Sequence, residues 1–163
     1  MTTQAARIDI DLSAQQLALL RAGEELFCCP VSTAANGAGE RNDSFCTPRG
    51  RHEIHEKIGA GCAPDTVFVG RQPTGETYTP ELGRTNPDRD WVLSRILWLS
   101  GKETGKNLGG DVDTRKRYID LHGCPDNVDF ELPGSHGCIR LRNSDIVALF
   151  DLVEPGTEVT IHE

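Results

Sequence analysis

The most informative stretch of the chain runs from Asp120 to Asn143 and reads DLHGCPDNVDFELPGSHGCIRLRN. It contains the tripeptide His-Gly-Cys twice, at residues 122–124 and 136–138. A strand-like segment, Arg117–Leu121, leads into the first copy, and turn-forming residues fill the connection. These turn formers are Pro125, Asn127, Pro133 and Gly134. These residues are consistent with a loop over 123–134 that folds back between two neighbouring strands.

Outside this stretch, short segments with strand-like patterns alternate with turns. They are Arg7–Leu12, Leu17–Arg21, Glu25–Val31, Arg51–Ile58, Thr66–Arg71, Ser94–Leu99 and Glu158–His162. Residues 72–90 and 100–114 lack apolar periodicity and are predicted as long loops, which in compact domains usually serve function.

One helix is predicted at the end of the stretch 120–143. Asn143 or Ser144 can cap it, and the apolar residues at i, i+3, i+4 and i+7 form one face. These are Ile146, Leu149, Phe150 and Val153. Many short strands with one helix in the C-terminal half favour a mainly-β fold, a β-sandwich of mixed and antiparallel strands.

The chain of 163 residues is expected to form a single domain spanning 1–163. Its net charge of -8 argues against nucleic acid and anionic membrane surfaces as partners. An anionic substrate would therefore need a locally basic lining. The cationic residues within or next to residues 120–143 are Arg115, Lys116, Arg117, Arg140 and Arg142.

The N-terminal residues lack the basic start and apolar run of a secretory signal. No segment approaches the ~20 apolar residues of a membrane span. A cytoplasmic location is expected if Met1 is the natural start, and a periplasmic one if the natural chain begins further upstream. Reduced, unpaired thiols are expected for the cysteines in the first case.

The doubled His-Gly-Cys allows a metal interpretation. His122, Cys124, His136 and Cys138 together have the composition of a Cys₂His₂ zinc site. Structural zinc sites usually space paired ligands as Cys-x₂₋₄-Cys or His-x₃₋₅-His, whereas each pair here is His-x-Cys. A non-catalytic zinc-binding module is therefore the less favoured alternative.

The second interpretation is a cysteine nucleophile. The small residues around Cys138 allow backbone N–H groups to approach a reacting carbonyl, and a side chain at Gly137 would crowd that approach. His122 can lie beside Cys138 if the loop folds back. A neighbouring histidine can lower the pKa of a cysteine and favour its thiolate.

These residues resemble the signature of the YkuD-type L,D-transpeptidase catalytic domain, a histidine followed after a spacer by Ser/Thr-His-Gly-Cys. The resemblance extends to the segments IDIDLSAQQLALL, VSTAANG, TPRGRHEI and RILWL. It implies a β-sandwich, a cysteine acyl-enzyme that carbapenems can also acylate, and no cofactor or metal. Cys138 would be the nucleophile and His122 its base, oriented by the carbonyl of Gly123. Backbone N–H groups of Gly137 and Cys138 would hold the oxyanion, and Cys124 is a departure without an implied role.

Four further residues are candidates for substrate binding, each with a structural alternative. Ser135 orients the substrate or satisfies an N–H group of its own turn. His136 contacts the substrate or shapes the turn. Arg140 binds a substrate carboxylate or forms an internal ion pair, and Arg117 contacts an anionic peptide or lies on a solvated face.

The resemblance implies peptidoglycan stem peptides or muropeptides as the partner and the bond between the L-centre of the third residue and D-alanine as the target. Water would resolve the acyl-enzyme in an L,D-carboxypeptidase, and an amine would do so in an L,D-transpeptidase that forms 3–3 cross-links or exchanges D-amino acids. A cytoplasmic enzyme would meet soluble muropeptides in abundant water. The L,D-carboxypeptidase of muropeptide recycling is therefore preferred, whereas the sequence does not determine the oligomeric state.

Overall fold

A computed structural model describes residues 4–130 and 132–163. In the part of the chain that it describes, ten strands and two α-helices follow one another. The strands are β1 (Arg7–Asp11), β2 (Gln16–Arg21), β3 (Glu24–Pro30), β4 (Gly50–Ile58), β5 (Thr66–Val69), β6 (Gln72–Thr77), β7 (Val92–Gly101), β8 (Asp120–Cys124), β9 (Ile139–Arg142) and β10 (Glu158–His162). The helices are α1 (Pro80–Thr85) and α2 (Asn143–Leu152), and a short 3₁₀ turn covers Gly110–Val112.

The strands form one curled, hydrogen-bonded sheet in the order β3-β2-β1-β10-β4-β7-β5-β6. β7 also pairs with β8, and β8 pairs with β9. The β1–β10 and β8–β9 pairs are parallel, and the remaining pairs are antiparallel. The predicted mainly-β class with mixed strand directions and one main helix is confirmed.

The hydrophobic core lies between the curled sheet and α2. Leu97, Leu121 and Ile139 occupy matching positions on β7, β8 and β9 and belong to this core. The predicted apolar face of α2 packs against them, since Ile146, Leu149 and Phe150 are buried. Residues alternate between the two faces of a strand, so the neighbours of these core residues point to the opposite face.

Three predicted boundaries need correction. The segment 72–90, predicted as a loop, contains β6 and α1, where Thr79 caps the helix and Pro80 occupies its first turn. The segment 100–114 contains the 3₁₀ turn. The strand predicted at Arg117–Leu121 begins three residues later and runs through Cys124. Among the described residues, none of the helices is long and apolar enough to cross a membrane.

The predicted cap of α2 is also wrong, because Arg142 holds the capping position and its side chain makes no capping hydrogen bond. Asn143 instead joins three segments. Its amide group donates to the carboxylate of Asp65 at 2.9 Å and to the carbonyl of Cys124 at 3.1 Å. Its oxygen accepts from the hydroxyl of Ser94 at 2.8 Å. This side chain therefore ties the start of α2 to β7 and β8.

Asn143→Ala should lower the free energy of unfolding by roughly 1–3 kcal/mol, because it leaves partly buried polar groups without partners. Asn143→Asp should destabilise at least as much, since a second carboxylate would face Asp65. Urea denaturation measures both effects. The exposed neighbour Ser144 supplies the control, and Ser144→Ala should stay within about 0.5 kcal/mol of the wild type. Equal stability of all variants would contradict the bridging role of Asn143.

Candidate active site

The parallel pairing of β8 with β9 places Cys138, at the end of the second His-Gly-Cys copy, beside the strand that carries the first copy. His122 lies opposite Arg140 in the register, and Leu121 lies opposite Ile139. Because Leu121 and Ile139 face the core, His122 and Arg140 project from the other face of the sheet. Cys138 directly precedes β9, and its Sγ accepts a hydrogen bond from the backbone N–H of Asp120 at 3.4 Å.

His122 is buried and held in one orientation. Its Nδ1 lies 2.7 Å from the carbonyl oxygen of Gly123, and a carbonyl can only accept, so Nδ1 carries the proton. Nε2 of the neutral ring is then free to act as a base. Burial lowers the pKa of His122, which keeps the ring neutral at neutral pH. A side chain at Gly123 would overlap Asn143 and the carbonyl of Leu93, so this position requires glycine.

The thiol of Cys138 is neutral in the resting structure. Removal from water and the charge of Asp120 raise its pKa, and the N–H of Asp120 and the charge of Arg140 only partly oppose this. The expected lowering of this pKa by a histidine is therefore wrong for the resting site.

Sγ donates to the carbonyl of Tyr118 at 3.5 Å, and His122 is not among its hydrogen-bond partners within the described residues. Catalytic hydrogen bonds often tighten only when substrate binds. Proton transfer from Cys138 to His122 would therefore accompany attack on a substrate.

The turn that carries Cys138 is shaped by Ser135 and Gly137. The buried hydroxyl of Ser135 donates to the carbonyl of Cys138 at 2.6 Å and accepts from the N–H of Gly137 at 3.2 Å. Gly137 has a φ of +132°, and a Cβ there would lie 3.0 Å from Ile119 and 3.2 Å from the carbonyl of Cys46.

Two predictions about this turn change as a result. Ser135 satisfies its own turn, which is the structural alternative to substrate contact. The N–H of Gly137 is already engaged by that hydroxyl. The N–H of Cys138 is therefore the better candidate for the oxyanion donor.

Arg117 is enclosed by a loop rather than presented to a ligand. Its guanidinium donates to the carbonyls of Gly39, Glu40 and Cys46, the last at 2.7 Å, and to the hydroxyl of Ser44 at 3.4 Å. These contacts hold the 39–46 loop against the turn that carries Cys138. The prediction that Arg117 binds substrate is untested, and this geometry favours a structural role.

Arg140 and His136 flank Cys138 in sequence and line a cavity of about 850 Å³. The guanidinium of Arg140 lies 3.5 Å from the carboxylate of Asp90. His136 is exposed, and its ring meets Phe45 edge to face at 5.8 Å between centroids. Trp91 completes one wall of this cavity. Of the four predicted substrate-binding residues, the structure brings these two to one cavity.

A smaller cavity of about 190 Å³ is lined by Asp120, Arg71 and Asp90, which contribute its charged groups. Asp90 therefore lines both cavities. The sequence analysis missed all three residues. Period-two alternation from His122 could have found Asp120, whereas Arg71 follows β5 and reaches the site only through the fold.

The four potential zinc ligands do not converge. Within residues 4–130 and 132–163, no three His, Cys, Asp or Glu side chains are grouped as they would have to be to hold a metal ion. The thiol of Cys124 is buried and donates to the carbonyl of Leu141 at 3.3 Å. Burial raises the pKa of Cys124 to about 12, which keeps this thiol unreactive at neutral pH.

Arg117→Met should lower the free energy of unfolding by roughly 1–3 kcal/mol, because the loop carbonyls lose a charged donor while the apolar stem is retained. Urea denaturation measures the loss, and limited proteolysis should show faster cleavage within residues 39–46. Lys116→Met is the matched control, since Lys116 is exposed. A variant of Arg117 that is as stable as this control would contradict the clamp.

Comparisons with known proteins identify the family of this chain. The family model described as the L,D-transpeptidase catalytic domain, YkuD, matches residues 5–161. YkuD of Bacillus subtilis (strain 168) is 30% identical over 95 residues, which are 58% of this chain and 48% of that protein. YbiS of Escherichia coli (strain K12) is 49% identical over 43 residues, which are 26% of this chain and 14% of that protein. The matches thus span less than half of either relative.

Solved structures show the same fold. L,D-transpeptidase 3 from Mycobacterium tuberculosis superposes with a TM-score of 0.59 at 18% identity, covering 98% of this chain and 61% of that one. Bd1075 of Bdellovibrio bacteriovorus superposes with a TM-score of 0.60 at 16% identity, covering 99% of this chain and 48% of that one. The match of the family model over nearly the whole chain shows that this protein belongs to the L,D-transpeptidase catalytic domain family.

Proposed function

We propose that Cys138 forms an acyl-enzyme with peptidoglycan stem tetrapeptides and that water then releases the shortened peptide. The observation that carries this proposal is the parallel β8–β9 pair. It sets the oriented base His122 and the partly exposed Cys138 on one face of the sheet. Small backbone-lined surroundings, a nearby base and access for the substrate are what a cysteine nucleophile needs.

The chemistry follows from the neutral resting pair. Sγ attacks the carbonyl carbon at the L-centre of the third residue while its proton moves to Nε2 of His122. The N–H of Cys138 would stabilise the oxyanion. The C–N bond to D-alanine breaks, His122 returns the proton to the departing amine, and a thioester remains on Cys138.

Recognition of an anionic peptide by a chain with a net charge of -8 requires a local cation. Arg140 fits this role, because its side chain lines the large cavity and its ion-pair partner Asp90 is exposed enough to be displaced or shared. Guanidinium groups bind carboxylates in a bidentate manner. The volume of about 850 Å³ lies within the range of pockets that bind small molecules of drug size.

The unequal cavities support hydrolysis over transfer. The 190 Å³ cavity is lined by Asp120, whose backbone N–H contacts Sγ of Cys138, and its volume suits solvent or a small amine rather than a second stem peptide. A cross-linking reaction needs room for two peptides at Cys138. We therefore propose the L,D-carboxypeptidase reaction, with L,D-transpeptidation as the alternative outcome of the test.

Treatment with a carbapenem should add a single mass increment that maps to Cys138. One solved relative, L,D-transpeptidase 3 of Mycobacterium tuberculosis, was captured with a faropenem-derived adduct, which supports β-lactams as probes. Intact-mass spectrometry with peptide mapping measures the adduct. Cys138→Ala should remove it, and Cys124→Ala should retain it because Cys124 is buried and protonated. An adduct on Cys124, or turnover by Cys138→Ala, would refute the assignment.

Incubation with a disaccharide-free tetrapeptide should give free tripeptide as the main product, followed by mass spectrometry. Addition of a D-amino acid at modest concentration should leave hydrolysis dominant, because water is in large excess over the added amine. Cys138→Ala serves as the inactive control. Predominant 3–3 dimers, or exchange that far exceeds hydrolysis, would show that the enzyme is a transpeptidase.

A further inference from the structure

Asp120 is a buried residue beside the proposed nucleophile, Cys138. The acylation step does not use the carboxylate of Asp120. Its residue is only 6% exposed, and its Oδ1 has no hydrogen-bond partner among the described residues. It lies two residues before His122 on β8, so both side chains project from the same face. Its backbone N–H already contacts Sγ of Cys138 at 3.4 Å. Buried polar atoms without partners are rare and call for a ligand, an ion or a water.

The smaller cavity gives Asp120 access to such a ligand. Phe68, Val92 and Ile96 supply its apolar wall, and Arg71 and Asp90 supply its other charges. Because a water molecule occupies about 30 Å³ of the liquid, a cavity of 190 Å³ has room for several waters. A hydrogen-bonded water would satisfy Oδ1 within reach of the thioester on Cys138.

The guanidinium of Arg71, which lies near Asp120, is held in place by stacking on two aromatic rings. The guanidinium of Arg71 lies 4.1 Å from the ring centroid of Tyr118 and 4.8 Å from that of Trp98. Trp98 is the direct neighbour of Asp120 across the β7–β8 pair. Arg71 therefore stays near the carboxylate, and within the part of the chain that the structure describes it forms no direct ion pair with it. The carboxylate is thus partly compensated but able to accept a proton.

We propose that Asp120 holds the water that resolves the Cys138 thioester and accepts a proton from it, an inference that rests on the proposed hydrolysis. The water oxygen attacks the thioester carbon while its proton moves to Oδ1. The C–S bond then breaks, and sulfur leaves as a thiolate. Asp120 returns the proton to sulfur, which restores the thiol and the carboxylate, and the product acid ionises in solvent. His122 thus serves acylation and Asp120 serves deacylation.

The protonation behaviour of Asp120 suits this role. Burial raises the pKa of Asp120 to about 7, and the charge of Arg71 opposes the rise. The other titratable groups near it are Asp90, the thiol of Cys138 and the ring of His122. A general base is most effective when its pKa lies near the working pH. The ionised form prevails above pH 7, so deacylation should accelerate as the pH rises through 7.

The test separates the two half-reactions in the full chain. Release of D-alanine in the first turnover measures acylation, and the decay of isolated acyl-enzyme by intact mass measures deacylation. In Asp120→Asn, which preserves shape and removes the base, acylation should stay within about threefold of wild type. Deacylation should slow at least tenfold, and its rise through pH 7 should disappear. Asp151→Asn is the matched control, because Asp151 is an exposed residue on α2, and it should alter neither rate.

Unchanged deacylation in a folded Asp120→Asn variant would overturn the inference, as would an equal loss in both half-reactions. Slower transfer to an added D-amino acid with unchanged hydrolysis would also overturn the assignment to water. The pH profile of the wild type provides a measurement that does not depend on any variant, and a flat deacylation rate between pH 6 and 8 would be decisive against Asp120. Absence of any acyl-enzyme in the wild type would instead refute the proposed function on which this inference rests.

Discussion

The parallel pairing of β8 with β9 is the constraint on which the candidate site depends. On one face, Leu121, Ile139 and Leu141 complete the core under α2. On the other face, the alternation of side chains places His122 and Arg140 beside each other and Cys138 next to Asp120. A shift of one residue in this register would move the apolar residues to solvent and the site residues into the core. The energy of core packing therefore also fixes the geometry of the site.

Burial controls the chemistry of this site as strongly as geometry does. It lowers the pKa of His122 and raises those of Cys138 and Asp120, so each group is driven toward its uncharged form. A thiolate and imidazolium pair would carry two charges in poorly solvated surroundings. A neutral pair avoids this cost, and in the proposed reaction it would transfer the proton only when a substrate carbonyl can accept the electrons of the sulfur. The same desolvation keeps Cys124, which lies two residues after His122 on β8, a protonated thiol.

The loop between β3 and β4 fixes the turn that carries Cys138. Thr47 donates to the carbonyl of Gly137 at 2.9 Å, and Arg117 draws the carbonyl of Cys46 toward the same turn. Gly137 lies so close to these groups that a side chain would have to displace them. A segment about 90 residues away in sequence thus sets the backbone conformation at Cys138. The two arginines near residues 120–143 therefore have different roles: Arg117 supports the structure, whereas Arg140 lines the cavity.

The amino-acid sequence by itself determined the mainly-β fold class, the apolar face of α2 and the identity of the central motif. These are local properties, because alternation, helical spacing and the Ser-His-Gly-Cys signature are read within a few residues. The tertiary structure decided how Asn143 and Arg117 are used, since their partners lie on other segments of the chain. It also decided that Cys138 rests as a neutral thiol and that Asp120 and Arg71 belong beside it. Burial and the approach of charges depend on distances between segments far apart in the chain, and no local pattern encodes those distances.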